Sequence, residues 1–163
     1  MKKIILLILI MILLMLLLTG CWTYSLNGFV VPNDIQFQEC VSGLNTVPKI
    51  ARYMTDNFTY KIRLLIALDP YDMWRIEAGD CNDYAAFGVF VARYHGIEAY
   101  QVYITYTGEK YNYHVNAVYK VGDYWALTDS WVYFGLFRSI EEAVTLHADY
   151  CERIIKNWYI LND

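Results

Sequence analysis

The chain has 163 residues, with 13 basic against 17 acidic side chains and a formal net charge of −4. That balance excludes the basic footprint that nucleic acid or anionic lipid would require, and the length allows one domain with a single proper core. Hydrophobic residues reach 57%, but one N-terminal run inflates the figure, so hydropathy says little about the rest of the chain.

That run comes first in chain order. Met1-Lys2-Lys3 leads into uninterrupted apolar residues from Ile4 to Leu18, then Thr19-Gly20-Cys21. A basic start, a short apolar stretch and small residues at the break form a secretory signal pattern. The stretch is shorter than the roughly 20 residues that span a bilayer. Leu18-Thr19-Gly20-Cys21 resembles the bacterial lipobox, which makes 1–20 a signal peptide and Cys21 the lipidated new N-terminus. An uncleaved anchor is the alternative. Both place the remaining chain outside the cytoplasm, tethered to a membrane. Cleavage before Cys21 removes Lys2 and Lys3, leaving 143 residues and a net charge of −6. Residues 21–43 hold Gly28, Pro32, Asn33 and Asp34 without a clear period and read as lipidated cysteine and tether, with one domain over 44–163.

Asn45-Thr46-Val47-Pro48 opens a helix, with a polar cap and a proline in the first turn, and Val47, Ile50, Ala51, Met54 and Phe58 continue at helical spacing. The apolar run Leu64 to Leu68 ends at the turn Asp69-Pro70. Tyr71 to Ala78 reads as a short helix or loop carrying Met73, Trp74 and Ile76. Next comes Gly79-Asp80-Cys81-Asn82-Asp83-Tyr84-Ala85, a loop turning into a helix. Asp80 is the expected N-cap, and Asp83 three residues on suits the positive end of the helix dipole. Tyr84, Ala85, Phe87, Gly88, Val91 and Ala92 supply an apolar face, and Gly96 stops the helix. Cys81 therefore sits at a helix N-terminus, where the nucleophilic thiolate is favoured. A small buried hydrophobe is the alternative reading of the same residue.

After Gly96 the period becomes two. Tyr100 to Tyr106, Tyr111 to Lys120 and Tyr124 to Asp129 read as three antiparallel strands. With a two-residue loop at Val121-Gly122, His114 and Asp129 face each other directly. With the loop at Gly122-Asp123 they form a diagonal pair on the same face. Trp131 to Gly135 packs on the sheet. Ser139-Ile140-Glu141-Glu142 has capping-box spacing and opens a last helix, with Ile140, Ala143, Val144, His147, Cys151, Ile154, Ile155 and Trp158 as its buried face. His95 reads as a helix cap and His147 as core or surface, neither with a carboxylate to orient it. Cys40 and Cys151 are a candidate disulfide in an oxidising compartment, against two buried free thiols. No Cys-x-x-Cys or paired-histidine spacing is present, so no metal or cofactor is expected.

A cysteine nucleophile needs a base, and the base needs a third group to fix its tautomer. Cys81, His114 and Asp129 can fill these roles, with the Cys81 amide as one oxyanion donor. The sequence does not name the second donor, and Trp74 and Tyr60 are no more than guesses for it. The motif around Cys81 resembles the cysteine motif of the transglutaminase-like superfamily. His114-Val115-Asn116-Ala117-Val118-Tyr119 resembles its histidine strand, and Gly122 to Asp129 its aspartate strand. The resemblance covers Val47 to Ser130, in the order Cys, His, Asp. It implies a papain-like α+β fold and thiol acyl transfer on an amide or isopeptide bond.

Hydrolysis, as in a cysteine peptidase or amidase, is favoured over crosslinking, because nothing in the sequence suggests how water would be excluded in favour of an amine. The expected substrate is a protein or peptide, such as an envelope protein or a peptidoglycan peptide. The competing reading is a catalytically silent binding module at the cell surface.

Overall fold

Eleven of the fourteen residues of one helix, Cys81–Tyr94, are buried, and the other elements are arranged around it. A helix apolar on all sides belongs in the middle of a domain rather than on its surface. The computed structural model describes residues 25–26, 29–63, 67–108 and 113–161. The expected signal segment 1–20, the lipidation site Cys21 and most of the apolar run at Leu64 lie outside them. Among the described residues no helix is long and apolar enough to cross a membrane.

In chain order, β1 (Ser25–Leu26) and β2 (Phe29–Val30) form a small antiparallel pair. Helix α1 (Ile35–Gly43) comes next, with Asp34 as N-cap accepting from the Phe37 amide. Phe37 and Val41 bury its inner face, so the stretch expected as a tether is already part of the domain. Only those two residues are apolar and inward at helical spacing, too few to give a readable period. Helix α2 (Val47–Asn57) has Thr46 as N-cap and Pro48 in its first turn, as expected, and buries Val47, Ile50, Ala51 and Met54. Strand β3 (Thr59–Tyr60) pairs in parallel with β4 (Ala78–Gly79), and α3 (Pro70–Ile76) lies between them in sequence. After β4 the chain enters α4 (Cys81–Tyr94), the central helix.

Five strands then complete the domain: β5 (Ala99–Tyr106), β6 (Tyr113–Val121), β7 (Tyr124–Asp129), β8 (Val132–Phe137) and, after α5 (Ile140–Tyr150), β9 (Ile155–Ile160). All neighbours are antiparallel, in the order β8-β7-β6-β5-β9. One face carries Val115, Ala117 and Tyr119 against α4, within a core that includes Phe37, Ile50, Met54 and Phe87. The other face carries Val102, Ile104, Val118 and Leu127 against Ala143 and Val144 of α5. This is an α+β architecture with helices on both sides of the sheet.

Two expectations are corrected. The last helix stops at Tyr150, and Ile155 and Trp158 belong to an edge strand. The chain breaks at Glu152, which has a left-handed φ of 55°. Ile155 and Trp158 fit helical spacing only because three residues separate them. Cys40 and Cys151 are both free thiols, not a disulfide. Cys40 packs on the α4 side and Cys151 caps α5 on the opposite side, so the sheet intervenes where a bridge would need its Cα atoms within about 7 Å.

Close approach of α4 to the sheet depends on Gly88. A Cβ there would run into the hydroxyl of Tyr119, which is fully buried and hydrogen-bonded to Thr128 Oγ1 at 2.9 Å. The alanine variant must push the helix away or break that bond. Gly88→Ala is therefore expected to destabilise the protein by about 1–3 kcal/mol in urea unfolding, as overpacking does, and the smaller Tyr119→Phe in the same background to recover part of the loss.

Candidate active site

The start of α4 is held by two carboxylates. Asp80 accepts from the Asn82 amide at 3.0 Å, and the buried Asp83 accepts from the Asp80 amide at 2.9 Å, a reciprocal capping box. Their remaining oxygens reach the connecting segment. Asp83 Oδ1 accepts from the Leu68 amide at 2.6 Å, and Asp80 Oδ2 from the Arg63 amide at 3.3 Å. Arg63 Nε lies 3.7 Å from Asp83 Oδ2. Gly79 is required beside them, because a Cβ there would come within 2.5 Å of the Asp83 Cβ. Together these contacts fix Cys81 at the first turn of the helix, with its thiol in a cleft beside Tyr60, Arg63, Tyr113, His114 and Arg153.

His114 comes from the start of β6. Val121 pairs with Tyr124, so the loop is Gly122-Asp123, with Gly122 at a φ of 60°. Of the two expected registers this is the diagonal one, and Ala117 faces Thr128. His114 and Asp129 still share a face, and His114 Nε2 donates to Asp129 Oδ1 at 2.6 Å. That bond leaves Nδ1 for the thiol. Burial pulls the imidazole pKa down, but the hydrogen bonds and charges of Asp129 and Cys81 more than reverse this and raise it to about 9. Burial pushes Asp129 up, yet the hydrogen bonds from His114 and His147 hold it well below the usual carboxylate range.

His147 is the residue that sequence reasoning missed. Its Nε2 lies 2.9 Å from Asp129 Oδ2, so two imidazoles share one carboxylate. Asn116 Nδ2 lies 3.2 Å from the other ring nitrogen. A residue on the inward face of a C-terminal helix gives no sequence signal of which strand end it will meet. His95, by contrast, is the C-cap of α4 as expected, and its Nε2 reaches the Val41 carbonyl at 2.9 Å.

Tyr60 stands over the thiol. Its ring stacks on Tyr84 at 6.1 Å and meets the edge of Trp131 at 5.7 Å. Burial raises its phenol pKa to about 12, helped by the charge and hydrogen bond of the Cys81 thiol, while the Cys81 amide acts in the opposite sense. The hydroxyl is therefore within reach of both the nucleophile and its backbone N–H. Trp74 instead packs against Phe37 and Tyr71, away from the cleft. A second cleft, lined by Asp129, Ser130, Trp131 and Val132, adjoins the first, and Tyr60 and His114 lie in both. The base thus sits where two grooves meet, with the thiol in the first of them.

No curated protein sequence matches this chain. A solved structure from Cytophaga hutchinsonii, provisionally named a cysteine protease, aligns with a TM-score of 0.48 at 17% identity over 78% of this chain. The aligned part is 48% of that chain, so this one spans about half its length. The family model for the transglutaminase-like superfamily matches residues 36–134, a span that runs through Cys81, His114 and Asp129. The match covers well over half the chain, and the chain belongs to the transglutaminase-like superfamily.

Proposed function

We propose that the protein is a thiol acyl-transfer enzyme that hydrolyses an amide or isopeptide bond in a protein or peptide. The observation that carries this reading is the convergence of three groups. The Cys81 thiol sits at a capped helix N-terminus, His114 lies beside it, and Asp129 holds the far nitrogen of that imidazole at 2.6 Å. In this arrangement the thiolate attacks the carbonyl carbon and a C–S bond forms. The oxyanion is met by the Cys81 amide and the Tyr60 hydroxyl, with the helix dipole behind them. His114 gives its proton to the leaving amine as the C–N bond breaks. Water then attacks the thioester, its proton passes to His114, and the C–S bond breaks.

The two grooves, which meet at His114 and Tyr60 beside the thiol, give an extended peptide room on both sides of the scissile bond. Both open to solvent, which supports water rather than an amine as the acceptor. The N-terminal pattern ending in Leu18-Thr19-Gly20-Cys21 supports a lipid-anchored enzyme outside the cytoplasm, where envelope proteins and peptidoglycan peptides are the substrates at hand.

Peptide mapping after brief alkylation at pH 7 tests the assembled site. Cys81 is expected to react at least tenfold faster than Cys40 or Cys151, with His114→Ala removing the advantage. Equal rates in both proteins would leave a surface-binding module as the better reading. Incubation with a glutamine- and isopeptide-containing peptide library plus a fluorescent primary amine separates the two acceptors. Hydrolysed products are expected to dominate, and amine incorporation as the main product would make the protein a crosslinking enzyme. Tyr60→Phe is expected to slow turnover by about 10²-fold while leaving alkylation of Cys81 intact, as loss of an oxyanion donor should.

The ratio of iodoacetate to iodoacetamide rates at Cys81 reports the neighbouring cation, because only the first reagent is anionic. His114 keeps its proton up to about pH 9, so the ratio is expected to be high below that value and to fall through it. In His114→Ala the ratio should be low and flat.

A further inference from the structure

Asp129 turns one oxygen to His114 and the other to a cluster that the thiol chemistry does not use. His147 and Cys151 lie one turn apart at the end of α5, on the same side of the helix. The donor atoms of Asp129, His147 and Cys151 all lie within 4.8 Å of one another. Cys151 Sγ is 3.6 Å from His147 Nε2, and Asp129 Oδ2 is 2.9 Å from the same nitrogen. We infer that these three side chains form a binding site for a zinc-class divalent cation, with a fourth position open to water.

The donor types select the metal. A thiolate, an imidazole and one carboxylate oxygen suit zinc, whereas magnesium and calcium take oxygen throughout. Tetrahedral bonds of zinc length put neighbouring donors about 3.3–3.7 Å apart. The sulfur already has that spacing from the ring, and Asp129 Oδ2 needs to draw back by about half an ångström to reach it.

A second observation comes from behind the histidine. Asn116 is fully buried, its Nδ2 lies against His147 Nδ1, and its Oδ1 has no hydrogen-bond partner. The two ends of an amide have the same shape. Turning this one lets Nδ1–H donate to Oδ1 and leaves the Nε2 lone pair aimed at the carboxylate and the sulfur, with the Nδ2 group taking the unpartnered place in exchange. A carbonyl behind the ring is the outer partner that metal-bound histidines use. The edge of Phe134, at 5.1 Å between centroids, packs against the ring. Binding would move the His147 ring proton from Nε2 to Nδ1, where the Asn116 oxygen accepts it, and release the thiol proton of Cys151 to solvent. Asp129 Oδ1 would keep its bond to His114. His147 and Cys151 lie beyond the span matched by the family, and only Asp129 falls within it.

Binding is measured on the full chain in detergent carrying Cys81→Ala, so that the catalytic thiol contributes nothing. One equivalent of zinc is expected by equilibrium dialysis, and cobalt in its place should show a thiolate-to-metal charge-transfer band. Cys151→Ser should abolish the band and weaken zinc at least tenfold, and His147→Gln should weaken it as much, while Cys40→Ser changes neither. Circular dichroism and melting of the metal-free variants confirm that they fold. Failure to bind zinc, or binding unchanged in folded Cys151→Ser and His147→Gln, overturns the site. Alkylation of Cys81 in the unmodified chain stands apart from all of these readouts, so either proposal can fail without the other.

Discussion

Asp83 is the constraint on which the cleft depends. A carboxylate buried at a helix start survives there only if its oxygens are matched by donors and its charge by a cation, and these come from three separate places. The Asp80 amide of the helix cap and the Leu68 amide of the connecting segment donate to it, and the Arg63 guanidinium in the wall of the cleft lies 3.7 Å away as an ion pair. One side chain thus ties the position of Cys81 to the path of the chain that crosses in front of it. Removing it would leave buried amides without acceptors and free the segment that shapes the groove. The surrounding apolar core fixes where α4 lies, whereas Asp83 fixes where its first turn points.

A second carboxylate organises the opposite wall. Asp129 is half-buried at the end of β7, between His114 and His147, and each imidazole takes a different oxygen. An orienting residue with one partner can rotate about its terminal torsion. With both oxygens engaged from two directions, the carboxylate plane is fixed and the His114 ring with it. Short bonds of this kind are worth more where water is scarce, and Ser130, buried beside Asp129 with a left-handed φ of 51°, closes the turn that brings β8 alongside.

Much of this was legible in the sequence. The capped cysteine helix, the period-two strands and the shared face of His114 and Asp129 all rest on local spacing, and local spacing survives folding. The order Cys81, His114, Asp129 was legible for the same reason. What escaped was non-local. α1 has only two inward apolar residues, so its helical period was too weak to see. Ile155 and Trp158 satisfy both a helical and a strand reading, and only the turn at Glu152 decides between them. The carboxylate that His147 meets, Asp129, is 18 residues away in sequence and stands on a strand of the sheet that α5 packs against. The proposed disulfide failed on layers, because cysteine spacing along a chain says nothing of which side of a sheet each thiol will occupy.

The position of β9 bears on the order in which the molecule can assemble. β5 to β8 follow one another closely in sequence and can zip as successive hairpins, each closing a small loop. β9 instead returns past β8, β7 and β6 to pair with β5, with Val102 opposite Ile160 and the Leu161 amide reaching the Gln101 carbonyl. That pairing has high contact order and pays its loop-closure entropy before any bond is made. Until it forms, β5 is an unpaired edge beside the tyrosine-rich side of the active-site cleft. A nascent chain therefore completes its helix-and-hairpin body early, yet leaves a sticky strand bare until β9 has been made. Loss of β9 is accordingly a matter of aggregation as much as of stability.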